Sequence, residues 1–190
     1  MIKVGFIGAG DIAYLHGEGV QASSNAQLHG IWNRTRTKAE EKASLFDTRV
    51  FNTAEELIEA VDVVYILTNM ETHHAYCMQA IEAGKHVLVE KPTAVTIEEI
   101  EEIKAFAHQK GVQVAPVHNY IYEAPVMRAK ELIESGKLGD LVSLHVLYNI
   151  HHPEEVAARY PGVIRQILTH HAYCTLYLVG QPELVSCMKA

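Results

Sequence analysis

The hydrophobic positions in the first part of the chain form short, nearly continuous runs that are separated by amphipathic stretches. In Val61–Leu67, for example, Asp62 is the only charged residue. Runs of this kind are typical of strands that are covered on both faces, as in a parallel sheet. The pattern predicts strands at Lys3–Ile7, Gln27–Trp32, Arg49–Phe51, Val61–Leu67, His86–Glu90 and Gln113–Val117.

The segments between these strands carry helix start and stop signals. A threonine followed three residues later by a glutamate predicts a capping box, in which both side chains satisfy free amide groups. The three candidate pairs are Thr37 with Glu40, Thr53 with Glu56, and Thr96 with Glu99. Gly84 and Gly111 are placed where two helices are expected to end. Alternating strands and helices predict an α/β fold with a doubly wound parallel sheet of the Rossmann type.

The pattern changes after His118. It predicts, in order, a helix, a strand, a helix and the start of another strand, at Ala124–Ser135, Leu141–Tyr148, Gly162–Val179 and Leu184–Met188. These elements are too few to close a second sheet. We therefore expect a complete first domain over residues 1–118 and the beginning of an α+β second domain over residues 119–190.

A glycine-rich turn follows the first predicted strand. Residues 8–13 fit the pattern Gly-x-Gly-x-x-Gly/Ala and open a helix. Gly8 permits a tight turn, Gly10 lets the backbone approach a diphosphate, and Ala13 keeps the helix close to the sheet. With Asp11 and Ile12, the turn presents free amides to phosphate oxygens. The pattern predicts a dinucleotide site, and the alternative is a glycine turn without a ligand.

The end of the second strand bears on which dinucleotide is bound. An acidic residue at this position would hold the ribose hydroxyls and repel a 2′-phosphate, but the chain has Asn33 followed by Arg34. A neutral amide beside a guanidinium favours NADP(H) over NAD(H). Arg36 and Lys38 add positive charge, although both also fit a solvated start to the next helix.

Composition excludes several other classes of protein. The chain of 190 residues is 48% hydrophobic and 21% charged, with a net charge of −7, so it lacks the basic surface of nucleic-acid binding proteins. No apolar run reaches the roughly 18 residues of a membrane span. The N-terminus does not fit a signal peptide, which predicts a cytoplasmic protein. Cys77, Cys174 and Cys187 are therefore expected to be reduced thiols.

One longer segment resembles a known family. Residues 83–92 read Ala-Gly-Lys-His-Val-Leu-Val-Glu-Lys-Pro, His73 lies eleven residues before Gly84, and Leu132–Gly139 precedes the predicted second-domain strand. With the glycine turn, these motifs resemble the glucose–fructose oxidoreductase/inositol dehydrogenase (Gfo/Idh/MocA) family along essentially the whole chain. Members of that family are much longer, so we expect this chain to be truncated within the C-terminal sheet.

The resemblance implies that Lys91 lies beside the nicotinamide and the reacting carbinol. A lysine at the carboxyl end of a parallel strand faces the crevice where ligands bind, which fits a proton relay. The alternative is a surface lysine after a strand. The resemblance also places Thr68, Asn69, His73 and Glu90 along the coenzyme.

A second catalytic residue is implied in the second domain. The family has Asp-x-x-x-His there, and the Gly-x-Pro at Gly180 aligns the histidine with His170. A slip of one residue would select His171. The family aspartate falls on Gln166, expected on the substrate side, and a further family aspartate falls on Tyr173. Because glutamine cannot accept a proton, the usual pair is incomplete, and His170 could also be a helix histidine without chemistry.

Two residues near the domain junction are expected to meet the substrate. Asn119 and Tyr120 resemble a substrate-side segment of the family, although Ile121 replaces a frequent arginine. Tyr120 and Tyr122 could contact ligand or pack the junction. The twelve histidines do not predict a metal site. Several of them are adjacent in sequence, and adjacent side chains on a helix diverge. Only His170 and Cys174, four residues apart, could share a helix face, and no third ligand accompanies them.

The leading prediction is an NAD(P)-dependent oxidoreductase that moves a hydride between nicotinamide and a sugar, polyol or related hydroxy or keto compound. Its partners would be a small-molecule substrate and further copies of the chain. Gln166 and the short second domain motivate an alternative, which is a dinucleotide-binding regulatory or sensor protein without turnover. The sequence names neither the substrate nor the direction of the reaction.

Overall fold

The computed structural model describes residues 1–148, 154 and 167–186. The chain divides into two compact units, Met1–Val117 and His118–Ala190. The division falls one residue before the boundary expected from the sequence.

The first unit is built on a six-stranded sheet. Its strands are β1 (Ile2–Ile7), β2 (Ala26–Trp32), β3 (Arg49–Val50), β4 (Val63–Ile66), β5 (His86–Val89) and β6 (Val114–Pro116). They lie in the order β3-β2-β1-β4-β5-β6, and every pair is parallel. This order is the doubly wound arrangement, so the predicted fold class is confirmed.

Five helices of this unit connect the strands: α1 (Ile12–Ala22), α2 (Arg36–Leu45), α3 (Ala54–Ala60), α4 (His73–Glu82) and α5 (Ile97–Lys110). Successive strand residues point to opposite faces, so Phe6 and Ile7 belong to different hydrophobic clusters. Phe6 packs with residues of α1 and α2, and Ile7 packs with residues of α3, α4 and α5. Both faces of the sheet are therefore covered, as the apolar runs predict.

One of the three predicted capping boxes forms in full, and a second forms in part. The Thr96 hydroxyl accepts a hydrogen bond from the Glu99 amide, and the Glu99 carboxylate accepts one from the Thr96 amide. The Thr53 hydroxyl likewise accepts from the Glu56 amide. The Glu56 carboxylate accepts from the Asn52 amide and not from the Thr53 amide, so only half of this box forms. The box predicted at Thr37 is wrong, because α2 begins at Arg36 with an extended Thr35 as its N-cap, two residues before the predicted cap.

The second unit contains α6 (Ala124–Glu134) and α7 (Thr169–Val179) among its described residues. The predicted first helix is thus confirmed, while residues 162–166 of the predicted second helix lie outside the described residues. The strand predicted at Leu141–Tyr148 is wrong: no strand pairs with this segment in the described part of the unit, and Val142 is 94% exposed. An apolar pattern alone does not make a strand when no neighbour completes its hydrogen bonds. Residues 184–186 are not in a strand either, and residues 187–188 are not described.

Candidate functional site

The carboxyl ends of four neighbouring strands bring the predicted coenzyme residues to one edge of the sheet. Gly8 follows β1, Asn33 follows β2, Thr68 follows β4, and Lys91 follows β5. Strands β2 and β4 lie on either side of β1, so the connections leave the sheet in opposite directions at this point. Such a reversal opens the crevice in which α/β proteins bind ligands.

The glycine turn has the geometry that a diphosphate needs. Gly8 has a φ of +116°, and a Cβ there would lie 2.7 Å from the backbone carbon and oxygen of Leu67, so only glycine fits. A Cβ at Gly10 would meet nothing within 4 Å, which means that this side of the turn faces open space. Ala13 is fully buried and holds α1 against the sheet.

Asn33 braces this turn. Its Oδ1 accepts a hydrogen bond of 3.2 Å from the Ala9 amide, and its Nδ2 donates one of 2.9 Å to the Thr35 carbonyl. Both ends of the side-chain amide are therefore used by the backbone. The residue that sequence reasoning assigned to the ribose also holds the phosphate-binding turn in shape.

A cleft of about 240 Å³ opens beside the turn. Six of the predicted coenzyme residues line it: Gly8, Gly10, Asn33, Arg34, Thr68 and Asn69. Asp11, Ile12, His73, Glu90 and Lys91 do not. The lining also includes seven residues that are absent from the predicted site, namely Ala9, Trp32, Thr35, Lys38, Leu67, Thr72 and Tyr76.

Two of these additional residues could have been found from spacing. Thr72 and Tyr76 are four residues apart at the start of α4, so they lie on the same face of this helix, and that face borders the cleft. The Thr72 hydroxyl donates a 2.7 Å hydrogen bond to the Thr68 hydroxyl, and the Tyr76 ring packs edge-on against Trp32 at 5.8 Å. Lys38 contributes positive charge to the cleft, whereas Arg36 binds Glu40 and Asn52 instead.

His73 is buried and contacts the segments that follow two neighbouring strands. It is 1% exposed, with Nδ1 2.8 Å from the Pro92 carbonyl oxygen and Nε2 3.0 Å from the Thr68 carbonyl oxygen. The segments after β4 and β5 are thus joined through one imidazole. The peptide bond between Lys91 and Pro92 is cis.

Glu90 is also buried. One carboxylate oxygen lies 2.8 Å from Nε2 of His16, which comes from α1, and the other accepts a 3.0 Å hydrogen bond from the Lys91 amide. Glu90 therefore connects α1 to the backbone of Lys91. Sequence reasoning did not single out His16, because nothing local to the glycine turn shows that it reaches the end of β5.

The second unit brings its candidate residues into one aromatic cluster. His170 and Tyr173, on α7, are 8% and 7% exposed. The His170 ring stacks on Tyr120 at 4.3 Å, and the Tyr173 ring stacks on His118 at 4.2 Å. The Tyr173 hydroxyl lies 2.6 Å from His170 Nδ1. The neighbouring His171 instead packs edge-on against Tyr148, so the two histidines have different surroundings.

Burial shifts the ionisation of this cluster toward neutral forms. It raises the pKa of Tyr173 to about 12 and lowers the pKa of His118. Gln166 lies outside the described residues. Within the part of the chain that the structure describes, no group of three His, Cys, Asp or Glu side chains could hold a metal ion. The helices of that part also include none long and apolar enough to cross a membrane.

Comparison with protein families matches both parts of the chain. The family model described as an oxidoreductase family with an NAD-binding Rossmann fold, GFO_IDH_MocA, matches residues 2–118. The chain belongs to this family. A model of the GFO/IDH/MocA C-terminal domain matches residues 126–190. The first unit of this Gfo/Idh/MocA protein is therefore an NAD(P)-binding Rossmann domain, which confirms the resemblance and the class of coenzyme.

Relatives with curated names include two Bacillus subtilis dehydrogenases. The scyllo-inositol 2-dehydrogenase (NADP(+)) IolW is 33% identical over 97% of this chain and 54% of its own length. A glucose-6-phosphate 3-dehydrogenase is 34% identical over 77% of this chain and 42% of its own. The chain thus spans about half the length of the curated relatives it matches.

Solved structures agree on the fold. The Bacillus subtilis protein yvaA is 31% identical, with a TM-score of 0.84 over 96% of this chain and 53% of its own. GenD2 from gentamicin A biosynthesis, solved in complex with NAD, is 25% identical, with a TM-score of 0.80 over 95% of this chain and 54% of its own.

Proposed function

We propose that this chain is part of an NAD(P)-dependent oxidoreductase that acts on the CH–OH group of a sugar, polyol or related compound. The observation that carries the proposal is the cleft at the strand ends, which is bordered by a glycine turn with open space at Gly10. The relatives named as inositol and sugar-phosphate dehydrogenases support the class of substrate.

The residues around the cleft fit a dinucleotide. The amides of Gly10, Asp11 and Ile12 at the start of α1 would hold the diphosphate. The Gly8 amide donates instead to the Trp32 carbonyl, and the Ala9 amide donates to Asn33 Oδ1. Thr68 and Asn69 would face the nicotinamide side. When bound, the nicotinamide supplies or accepts the hydride.

The charge at the cleft favours NADP(H) over NAD(H). Arg34 and Lys38 line it, and the strand ends in the neutral Asn33 where a carboxylate would repel a 2′-phosphate. Guanidinium and ammonium groups are the usual partners of such a phosphate.

Proton transfer is assigned to Lys91 of the first unit, with His170 of the second unit as the other proton-handling group. Lysine and histidine both exchange protons with hydroxyl groups in enzymes. The substrate's hydroxyl proton is removed during oxidation and returned during reduction. Asn119 and Tyr120 would contact the substrate.

The test uses Lys91→Met, with Lys104→Met as the matched control on the exposed side of α5. Coenzyme binding is measured by NADPH fluorescence, and turnover by absorbance of the reduced nicotinamide across a panel of polyols and sugars. Removing the proton relay should lower kcat by about 10²–10⁴-fold while coenzyme binding persists. The control should retain the activity of the unmodified protein.

Binding without turnover in the unmodified protein, across the whole panel, would favour the alternative of a coenzyme sensor. Full activity of Lys91→Met would contradict the role given to this lysine.

A further inference from the structure

The Tyr173 hydroxyl is surrounded by three polar groups from its own unit. His170 Nδ1 lies 2.6 Å away, the Tyr120 backbone nitrogen 3.2 Å away, and Asn119 Oδ1 3.3 Å away. Tyr173 is buried, so these groups are its hydrogen-bonding environment.

The donors and acceptors around the Tyr173 hydroxyl determine which group donates in each of its hydrogen bonds. A phenol oxygen has one proton and two lone pairs. The Tyr120 N–H can only donate to it, and Asn119 Oδ1 can only accept from it. The second lone pair then accepts a hydrogen bond from the Nδ1–H group of His170, so the hydroxyl uses its one donor and both acceptor positions.

The position of the His170 ring is fixed from two directions. Tyr120 covers one face of the imidazole, with ring planes 17° apart, while Tyr173 holds its Nδ1 edge. Tyr173 is three residues after His170 on α7, so both side chains lie on the same helix face. His118 stacks on Tyr173 in turn and restricts the phenol ring.

From this arrangement we propose that Tyr173 is a positioning residue that holds neutral His170 in its Nδ1–H tautomer and makes Nε2 the nitrogen that exchanges the substrate's hydroxyl proton. This proposal rests on the function proposed above. During oxidation the O–H bond of the substrate breaks and its proton bonds to Nε2. The ring becomes an imidazolium whose Nδ1–H still donates to Tyr173, and in the reverse direction Nε2 returns the proton.

A phenol differs from a carboxylate in this position. Since burial raises the pKa of Tyr173 to about 12, the hydroxyl is neutral at any working pH. It can therefore orient the imidazole without adding a counter-charge. Tyr173 stands where the family resemblance implies an aspartate, so this chain would use a neutral partner for its histidine.

The first readout is spectroscopic and requires no turnover. In protein labelled with ¹⁵N-histidine, long-range proton–nitrogen correlations distinguish the two tautomers, and His170→Asn identifies the signals of His170. We expect the Nδ1–H form in the unmodified protein and a mixture of tautomers in Tyr173→Phe. Tyr177→Phe, one turn further along α7, is the matched control and should leave the His170 signals unchanged.

The second readout is kinetic. Tyr173→Phe should lower kcat about tenfold, as loss of an orienting hydrogen bond to a functional histidine does, with little change in KM. In a His170→Asn background the same substitution should have no further effect, because Tyr173 acts through His170.

An Nε2–H tautomer in the unmodified protein, or unchanged His170 signals in Tyr173→Phe, would overturn the proposal. An equal decrease in kcat on Tyr173→Phe in the unmodified protein and in the His170→Asn variant would also overturn it. If the unmodified protein shows the expected tautomer but no turnover, the proposed function fails instead, and the two failures are thereby distinguished.

Discussion

At the scale of single residues, Asn33 has a structural role in the coenzyme cleft. Asn33 is placed at the ribose by sequence reasoning, yet both ends of its amide bind backbone atoms of Ala9 and Thr35. The charges available to a 2′-phosphate are instead on Arg34 and Lys38, which line the cleft. Coenzyme preference should therefore depend on these two residues more than on hydrogen bonds from Asn33.

Arg34→Ala should weaken NADPH binding relative to NADH by about tenfold or more, because a charge-assisted hydrogen bond contributes about 1.5–3 kcal/mol. Fluorescence titration with both coenzymes measures the ratio. Arg36→Ala is the matched control, since Arg36 binds Glu40 and Asn52 outside the cleft. An equal shift in both variants would contradict a specific role for Arg34.

Asn33→Asp tests the same preference from the other direction. The carboxylate can still accept the Ala9 hydrogen bond, so the turn keeps this brace, but it would repel a 2′-phosphate. The preference should move toward NADH in the same titration. An unchanged ratio would count against the assignment of the ribose to this strand end.

At the scale of elements, α4 joins the coenzyme edge to the core. Its buried face consists of His73, Cys77, Ala80 and Ile81. His73 binds the carbonyls that follow β4 and β5, while Cys77 is fully buried against the sheet. Burial raises the pKa of the Cys77 thiol from 9.0 to about 12. The packing of this helix should therefore make stability depend on pH.

The folded protein holds the Cys77 proton more tightly than the unfolded chain does. The resulting stability is complete below pH 9 and is lost as the pH rises toward 12. Between pH 8 and pH 11, this thiol should lower the free energy of unfolding by about 2–3 kcal/mol. Urea unfolding followed by circular dichroism at both pH values measures the loss.

Cys77→Ala should reduce this pH dependence, and Cys174→Ala, which removes a less buried thiol of the second unit, should reduce it less. The same decrease between pH 8 and pH 11 in Cys77→Ala and in the unmodified protein would show that the thiol does not titrate as described.

At the scale of the whole molecule, the second unit exposes many apolar side chains. Val142, Leu147, Leu184 and Val185 are between 78% and 94% exposed. Exposed apolar groups favour association between chains. The expected partner is a second copy of the chain.

Light scattering after size-exclusion chromatography should show a mass that rises with concentration. Val142→Lys combined with Leu147→Lys should shift the protein toward the monomer, whereas Ile97→Lys, at an exposed apolar position of α5 in the first unit, should not. A monomer at every concentration would contradict the expected self-association.

The sequence by itself determined the first unit almost completely. Its strands are near-continuous apolar runs, and two of its helices begin at threonine N-caps that a glutamate three residues on signals. The positive φ of Gly8 requires a glycine at that position. These features depend on nearest neighbours along the chain, and therefore a linear pattern is sufficient to predict them. The start of α2 was misplaced by two residues because Thr35 and Thr37 offer similar signals.

Only the tertiary structure decided which side chains meet. It paired His16 with Glu90, bound both imidazole nitrogens of His73 to the segments after two strands, and brought Tyr173 to Asn119. It also left Leu141–Tyr148 outside any strand, because a strand exists only where another pairs with it. These outcomes depend on contacts between segments far apart along the chain, and no local pattern of residues specifies them.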